Sequence, residues 1–531
     1  MIKKAKLSVN PCEDFNEFAC GRFIEETKIP DGSGEVWALT VISDMIKEIL
    51  HGIIIHEAKP TDPQYLINMR RFYNSCFDED TIEAVGLTPY FNEKEFFNDW
   101  PTLNPSWSGA NFNLNETIVR YSKVFTDSIL GCFLMNDLAD NSKVAIYLSH
   151  ANLQLSQKIY RNPRNDTILQ AYEKYLVEIA VALNASRDVA EQDAKEVVDL
   201  EIELSKIKLP EAQQRKAEKI YNPVQLNELS TMYPELDIVG FLRTVFGLAN
   251  ITLVDNETII NSYPTYIGNI SRVVQQFSNR TVQNLFGFNF AKNRVDSLTL
   301  RTRQIRQEFD KVYLGALKAA LRWKVCIDST SKTFGDGFGK QFVAGHYSES
   351  AKQDVNNITD NIKQVFHNVI EETTWMSSNT RAEALAKLAA MKRKIGYPDV
   401  GFEEADIEKK YRNYLMKAND YYGNRVLSYN QKQLAELATY GKPANKNRWY
   451  LSAHETNAYN SLLLNEIVFP AGVLQKPFYS ETFPDYMKYG ALSTVIGHEI
   501  LHGFDDVGVQ FDGNGTMRNW MSPKDKETFS N

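Results

Sequence analysis

The sequence predicts a mainly α-helical fold with a small β part near its C-terminal end. Apolar residues recur at three- and four-residue steps over long stretches, which is the spacing of a helix with one buried face. Stretches that alternate apolar and polar residues, as half-buried strands do, are few. The chain has 531 residues, 43% of them hydrophobic, so it is long enough for two or three domains with sizeable cores.

The individual elements follow from local patterns. In the longest helical pattern, residues 173–204, charged residues fill the positions between the apolar steps. The I-G-Y-P sequence at 395–398 supplies a stop signal after the last of the further helices. The clearest short strand is 467–469, directly before Pro470. Helices are predicted over 173–204, 302–323, 352–369 and 380–394.

Charge and hydropathy argue against a nucleic-acid partner and against a membrane-spanning helix within this sequence. The formal net charge is −8, which leaves no broad basic surface of the kind that nucleic-acid binding needs, so we expect no nucleic-acid partner. No apolar run reaches the roughly 18 residues of a membrane helix, because the nearest, 42–55, is interrupted by charged residues. Residues 1–10 have a basic start but no apolar core, so no secretory signal is visible.

The N-glycosylation sequons and the cysteines nevertheless favour an extracellular protein. The five cysteines are scattered and odd in number. They are either buried thiols of a cytosolic protein or part of a disulfide-bonded extracellular protein that lacks one end. Nine Asn-x-Ser/Thr sequons favour the second interpretation, although chance supplies several. They lie at Asn115, Asn165, Asn184, Asn250, Asn256, Asn269, Asn279, Asn357 and Asn514.

The stretch H-E-I-L-H at 498–502 is the strongest chemical signal. In a helix, His498 and His502 lie four residues apart on one face, where both imidazoles reach one metal ion. Glu499 can then take a proton from a water held at that metal, which is the H-E-x-x-H logic of a zinc metallopeptidase. The motif also arises by chance, so alone it is only suggestive.

Flanking residues add to this signal. Asp505 and Asp506 follow the predicted helix, where a carboxylate can accept the second ring N–H of a zinc-bound histidine. The alternative is that both lie in a solvated turn. Asn457 and Ala458 precede the short strand, and the Asn457 amide is placed to hold the main chain of an extended peptide. The alternative here is an ordinary loop before a buried strand.

Several segments together resemble the neprilysin and endothelin-converting-enzyme family of zinc endopeptidases. The segments at the C-terminal end are N-A-Y at 457–459, E-I-V-F-P-A-G-V-L-Q-K-P-F at 466–478, V-I-G-H-E-I-L-H-G-F-D-D at 495–506 and D-G-N-G at 512–515. Earlier segments also match, at 12–21, 70–76, 323–326 and 381–399. The likeness therefore covers nearly the whole chain.

The resemblance implies a role for each matching residue. His498 and His502 are zinc ligands, and Glu499 is the general base. Asn457 and Ala458 bind the substrate backbone. Asp505 orients a histidine. The resemblance further implies a disulfide between Cys76 and Cys326, whereas Cys12 and Cys20 match cysteines whose partners lie near the family's C-terminus, and Cys132 has no partner that we can name.

One part of the family's site has no counterpart in the sequence. The resemblance implies a single zinc ion whose third protein ligand is a glutamate in an E-x-x-x-D motif well beyond the zinc helix. The only glutamate after H-E-x-x-H is Glu527, in a stretch that matches a different part of the family. We therefore expect the chain to be incomplete at both ends, with its membrane anchor or signal also missing. The alternative is an inactive homologue that binds peptides or partners without cutting them.

The resemblance also implies an architecture and a function. The expected fold is a large helical lobe and a thermolysin-like (gluzincin) catalytic lobe around an internal cavity. Residues 1–29 would pack on the catalytic lobe, 30–335 would form the helical lobe, and 336–531 would form the catalytic lobe, incomplete at its C-terminal end. The implied activity is hydrolysis of small peptides on the amino side of hydrophobic residues. The implied location is extracellular, as a type II membrane enzyme or a secreted one.

Overall fold

The computed structural model describes residues 4–56, 59 and 61–530 and is mostly helical, with two small β-sheets. Its helices are α1 (Phe15–Glu26), α2 (Ala38–Ile54), α3 (Gln64–Phe77), α4 (Glu79–Val85), α5 (Thr88–Phe91), α6 (Lys94–Phe97), α7 (Leu114–Ser122), α8 (Gln157–Tyr160), α9 (Thr167–Ala182), α10 (Arg187–Ile207), α11 (Glu211–Gln214), α12 (Ala217–Ile220), α13 (Glu228–Met232), α14 (Ile238–Gly247), α15 (Pro264–Val274), α16 (Asn279–Lys292), α17 (Leu300–Tyr313), α18 (Arg322–Thr333), α19 (Gly335–His346), α20 (Glu349–Glu372), α21 (Ser378–Ala390), α22 (Glu404–Tyr411), α23 (Tyr421–Leu437), α24 (Asp485–His502) and α25 (Pro523–Ser530). The strands are β1 (Leu130–Asn136), β2 (Val144–His150), β3 (Pro223–Gln225), β4 (Thr258–Asn261), β5 (Lys392–Gly396), β6 (Tyr459–Ser461) and β7 (Glu466–Pro470).

The predicted helices are found, but two of them are interrupted. The 173–204 pattern divides into α9 and α10, because Asn184 adopts a left-handed φ of 76° between them. The 302–323 pattern divides into α17 and α18, because Gly315 has a φ of 77° and residues 315–321 are not helical. The 352–369 helix is confirmed and lies within α20.

The first sheet was not predicted from the sequence. Its strand order is β1-β2-β4-β3, with β1 and β2 antiparallel, β2 and β4 parallel, and β3 and β4 antiparallel. The five central residues of β2 are all buried, so the strand is nearly uniformly apolar and lacks the alternation by which half-buried strands are recognised. The β content is therefore not confined to the C-terminal end.

The second sheet supports the candidate site. Its order is β5-β7-β6, with β5 parallel and β6 antiparallel to the central strand β7. The predicted strand 467–469 is confirmed as the middle of β7, whose five residues are all buried. The predicted helix 380–394 was too long: α21 ends at Ala390, and the following residues form β5 because their backbone pairs with β7.

Three large hydrophobic cores organise the chain. A helical core is built mainly from residues 90–309, and a C-terminal core joins 351–395 to 458–521. A central core joins 42–82 to 326–342 and 407–421. Because the central core takes residues from both sides of position 335, the domain boundary expected there stays a prediction. The expected packing of residues 1–29 on the catalytic lobe also stays a prediction, since α1 buries only Gly21.

The β1–β2 hairpin of the first sheet reaches the C-terminal part of the chain. Leu138 and Tyr147 pack in one apolar cluster with Phe511, which follows α24 by a few residues. The N–H of Met517 donates to the carbonyl oxygen of Leu138 (2.6 Å), and the Asn141 amide donates to the carbonyl oxygen of Leu463 (2.6 Å). The helical part of the chain is therefore in direct contact with the segment around Phe511 and Met517 that follows α24.

One disulfide bond crosslinks the central core. Cys76 in α3 and Cys326 in α18 form the disulfide that the family resemblance implied, closing a sequence separation of 250 residues inside the central core. In the described part of the chain, Cys12, Cys20 and Cys132 are not disulfide-bonded. None of the described helices combines the length and the apolar character that crossing a membrane requires.

Removing the disulfide is expected to lower the stability of the protein. Replacing Cys76 and Cys326 with alanine frees a long loop in the unfolded state, and losing such a bond costs about 2–5 kcal/mol. Thermal unfolding without reductant should therefore show a lower midpoint. The control is the double change Cys12→Ser and Cys20→Ser, at exposed thiols. Equal midpoints for the two double variants would contradict the stabilising role.

Candidate metal and catalytic site

Helix α24 carries the H-E-x-x-H motif at its C-terminal end. It begins after Pro484 and ends at Gly503, whose N–H donates to the carbonyl oxygen of Ile500 (3.0 Å). Leu492, Ile496 and Ile500 recur every four residues and are buried in the C-terminal core, against α20 and the second sheet. This buried stripe fixes the rotation of the helix, so the two histidines face outward together.

The two histidines already lie almost at the separation that a shared zinc ion requires. Their Nε2 atoms are 2.9 Å apart, and the ring planes are inclined by 81°. Zinc binds imidazole nitrogens at about 2.0–2.1 Å with tetrahedral angles, which places two such nitrogens roughly 3.3 Å apart. A side-chain adjustment of a few tenths of an ångström is sufficient, so His498 and His502 fit as two ligands of one zinc ion.

Asp505 fixes the orientation of His502. The Nδ1–H of His502 donates to Oδ2 of Asp505 (2.9 Å), which leaves the lone pair of a neutral ring on Nε2. The other carboxylate oxygen, Oδ1, accepts the backbone N–H groups of Val507 (2.9 Å) and Gly508 (2.7 Å). The carboxylate therefore joins the histidine to the turn that follows α24, as carboxylates beside metal-binding histidines do.

Glu499, between the two histidines in the motif, is buried and only 5% exposed. This burial raises the pKa of its carboxyl group to about 7, although the electrostatic contribution of His502 acts to lower the pKa. A general base works best when its pKa lies near the working pH. The backbone carbonyl oxygen of Glu499 accepts the amide of Asn460 in β6 (2.7 Å), which ties the zinc helix to the second sheet.

Asn457 and Ala458 lie at the start of the edge strand that contacts α24. Ala458 is buried, whereas Asn457 is exposed and its Oδ1 accepts the N–H of Ala458 (3.0 Å). The following strand, β6, pairs with β7 on one side only, so among the described strands its outer edge has no partner. The structure thus brings Asn457 and Ala458 beside α24. The role of these two residues in substrate binding stays a prediction.

The two neighbouring aspartates have different partners, which the sequence did not reveal. Asp506 is exposed and accepts two hydrogen bonds from the guanidinium of Arg215 (2.7 and 2.5 Å), which lowers the pKa of Asp506. Close by, Gln510 accepts the N–H of Ala217 (2.7 Å) and donates to the carbonyl oxygen of Arg215 (2.9 Å). No local signal marks Arg215, because it is 291 residues away from Asp506 in the chain.

Among the described residues, no third potential metal ligand joins His498 and His502. Across residues 4–56, 59 and 61–530, no group of three or more His, Cys, Asp or Glu side chains is placed to hold one metal ion. Glu527 is exposed on α25 and does not join the histidines. The buried carboxylate of that helix is Asp525, which accepts the N–H and hydroxyl of Ser377.

The different partners of the two aspartates predict different effects on zinc binding. Replacing Asp505 with Ala releases His502 and should weaken zinc binding about 10- to 100-fold, the usual effect of losing such a partner. Replacing Asp506 with Ala removes a neighbouring carboxylate that does not touch a histidine and should leave zinc affinity nearly unchanged. Competition with a chromogenic chelator measures both variants. Equal losses would show that Asp505 acts only through local charge.

Comparison with known proteins places the chain in a family. Models of Peptidase family M13 match residues 11–398 and 457–531. Neprilysin-2 of Drosophila melanogaster is 29% identical over all of this chain and 70% of its own length. Neprilysin-11 of Caenorhabditis elegans is 30% identical over 98% of this chain and 63% of its own length. Human Membrane metallo-endopeptidase-like 1 is 27% identical over 97% of this chain, which spans 68% of that protein.

Solved structures share the fold. Mycobacterium tuberculosis zinc metalloprotease Zmp1, in complex with an inhibitor, superposes with a TM-score of 0.88 at 24% identity, over 100% of this chain and 78% of that one. PepO from Lactobacillus rhamnosis gives a TM-score of 0.83 at 21% identity, over 100% and 80%. These likenesses confirm the mainly α, two-lobed fold class. Because family models cover most of the sequence, the chain belongs to peptidase family M13, a family of zinc metalloendopeptidases.

Proposed function

We propose that this protein is a zinc-dependent endopeptidase that cleaves small peptides, with His498 and His502 as zinc ligands and Glu499 as the general base. The observation that carries the proposal is the convergence of two Nε2 atoms, 2.9 Å apart, beside a buried carboxyl group. Zinc bound there supplies a Lewis acid that polarises the scissile carbonyl and acidifies water. The chain's own residues supply proton transfer, ligand orientation and substrate alignment.

Glu499 is proposed to move the protons of the reaction. With a pKa near 7 it is substantially ionised at neutral pH, so its carboxylate can accept a proton from the attacking water. The resulting carboxylic acid can donate that proton to the amine of the departing peptide, which returns Glu499 to its starting state. Asp505 holds His502 in the tautomer that binds metal throughout the cycle.

Substrate alignment is proposed to use the outer edge of β6. An extended peptide pairs its backbone with an unpaired strand edge, and Asn457 and Ala458 lie where that edge begins. The contact of Asn460 with Glu499 couples this edge to the base. Restriction to small peptides rests on the family resemblance, which implies an internal cavity. The preference for the amino side of hydrophobic residues rests on the family resemblance.

We further propose an extracellular location, membrane-attached or secreted. The Cys76–Cys326 disulfide supports it, because such bonds persist in oxidising compartments. Several of the sequons lie at exposed asparagines, including Asn165, Asn250 and Asn256, where a glycan has room. The name of the human relative, Membrane metallo-endopeptidase-like 1, describes a membrane protein.

A second candidate function is peptide binding without cleavage. One observation favours it: among the described residues no group of three or more potential metal ligands is found, whereas catalytic zinc sites use three protein ligands. Such a protein would still bind peptides along β6 while turning over none of them. The two functions are separated by measuring cleavage and binding on the same peptide.

Replacing Glu499 with Gln should abolish cleavage by the native protein while zinc stays bound, because the amide cannot accept the water proton. The expected loss is roughly 100-fold or more, measured with a quenched fluorescent peptide together with the zinc content. The same change at the exposed Glu527 is the matched control and should have no effect. Retained activity in Glu499→Gln would remove this residue from the role of base. A native protein that binds the peptide but never cleaves it would favour the second candidate.

A further inference from the structure

A buried lysine contacts the turn that follows α24, at residues 503–511. Lys387, on α21, is only 2% exposed, and its Nζ donates to the carbonyl oxygens of Gly508 (2.7 Å) and Phe511 (2.7 Å). Burying an ammonium group is costly unless its N–H groups are hydrogen-bonded. The two hydrogen bonds to carbonyl oxygens therefore offset part of the cost of burying Lys387.

The surroundings of Lys387 contain no direct ion-pair partner among the described residues. The ammonium lies over the rings of Phe504 (5.3 Å) and Trp520 (5.8 Å). Burial lowers the pKa of Lys387 to about 8, although the more distant carboxylates of Asp512 and Asp505 oppose this shift. Since no carboxylate within bonding distance balances the charge, the two backbone carbonyls are the main polar partners of the side chain.

The turn held by Lys387 is the one that carries Asp505. The carbonyl of Gly508 accepts from Lys387, while the N–H of the same residue donates to Oδ1 of Asp505 (2.7 Å). Gly508 is also pressed against the end of α24, because a Cβ atom there would lie 2.1 Å from the carbonyl oxygen of His502. A continuous set of hydrogen bonds therefore runs from Lys387 through the turn and Asp505 to the ring of His502.

We propose that Lys387 is a positioning residue for the zinc site: by bridging the carbonyls of Gly508 and Phe511 it holds the turn in the shape that aims Asp505 at His502. This inference rests on the proposed function, since it concerns the zinc site of that proposal. An apolar side chain in the same place would leave two carbonyls unsatisfied. The turn would then shift so that these carbonyls reach water, and the Asp505 carboxylate would no longer be positioned to accept the hydrogen bond from His502.

A second contact keeps Lys387 itself in place. The amide of Asn465 donates both to the carbonyl oxygen of Lys387 (3.0 Å) and to that of Gly513 (2.9 Å). The backbone of α21 and the chain beyond the turn are thus joined twice, once through the lysine side chain and once through Asn465. His502 is therefore linked, through Asp505 and the turn, to helix α21.

The test compares zinc binding by Lys387→Met and by Lys363→Met in the full chain. Lys363 is the matched control: its Nζ also donates to a backbone carbonyl, that of Met391 (2.7 Å), and burial also lowers its pKa, but it makes no contact with the turn. Competition with a chromogenic chelator gives the zinc affinity, and thermal unfolding of the metal-free protein gives stability. We expect Lys387→Met to weaken zinc binding roughly tenfold or more, and Lys363→Met to change it less than about twofold.

A double-mutant cycle separates positioning from general stability. If Lys387 acts through Asp505, Lys387→Met should weaken zinc binding little further once Asp505 is replaced by Ala. Should Lys387→Met fail to fold, Lys387→Arg keeps a cationic donor and is expected to retain most of the affinity. Equal losses in the two lysine variants, or fully additive losses with Asp505→Ala, would overturn the inference. Zinc binding that is unaffected by His498→Ala would instead overturn the proposed function, and the inference with it.

Discussion

The hydrogen bond between Asp505 and His502 is the interaction on which the site depends. One oxygen of the carboxylate holds the imidazole, and the other is held by two N–H groups of the following turn. The histidine pair is therefore preorganised by the backbone, at almost the separation that zinc requires. Without this carboxylate, the only remaining side-chain contact described for the His502 ring nitrogens is the one with His498, at the exposed end of the helix.

The same short turn is also where distant parts of the chain meet. Lys387 of α21 donates a hydrogen bond to this turn. From the helical part of the chain, Arg215 and the apolar cluster around Leu138 also contact it. The exposed Arg215–Asp506 pair adds little stability by itself, since solvent screens such pairs. The apolar cluster and the buried lysine contribute more, because their groups are removed from water. The residues of this turn therefore both connect the two parts of the chain and order the candidate site.

Much of this arrangement was predictable from the sequence, and the remainder has a physical reason for being hidden. The His498–His502 spacing, the apolar stripe of α24 and the strand containing 467–469 are local patterns. The roles of Arg215 and Lys387 depend on contacts across 291 and 121 residues, which no local pattern records. Strand β2 escaped prediction because it is buried on both faces, and β5 because its pairing with β7 overrides the helical pattern before it.

Anomalous X-ray scattering at the zinc edge, from crystals of the protein soaked in zinc, locates the metal directly. If His498 and His502 share one zinc ion, we expect one strong peak bonded to Nε2 of both, at about 2.1 Å from each, with the Asp505 carboxylate still on Nδ1 of His502. A zinc peak elsewhere, or a histidine pair that stays empty while other sites fill, would contradict this assignment.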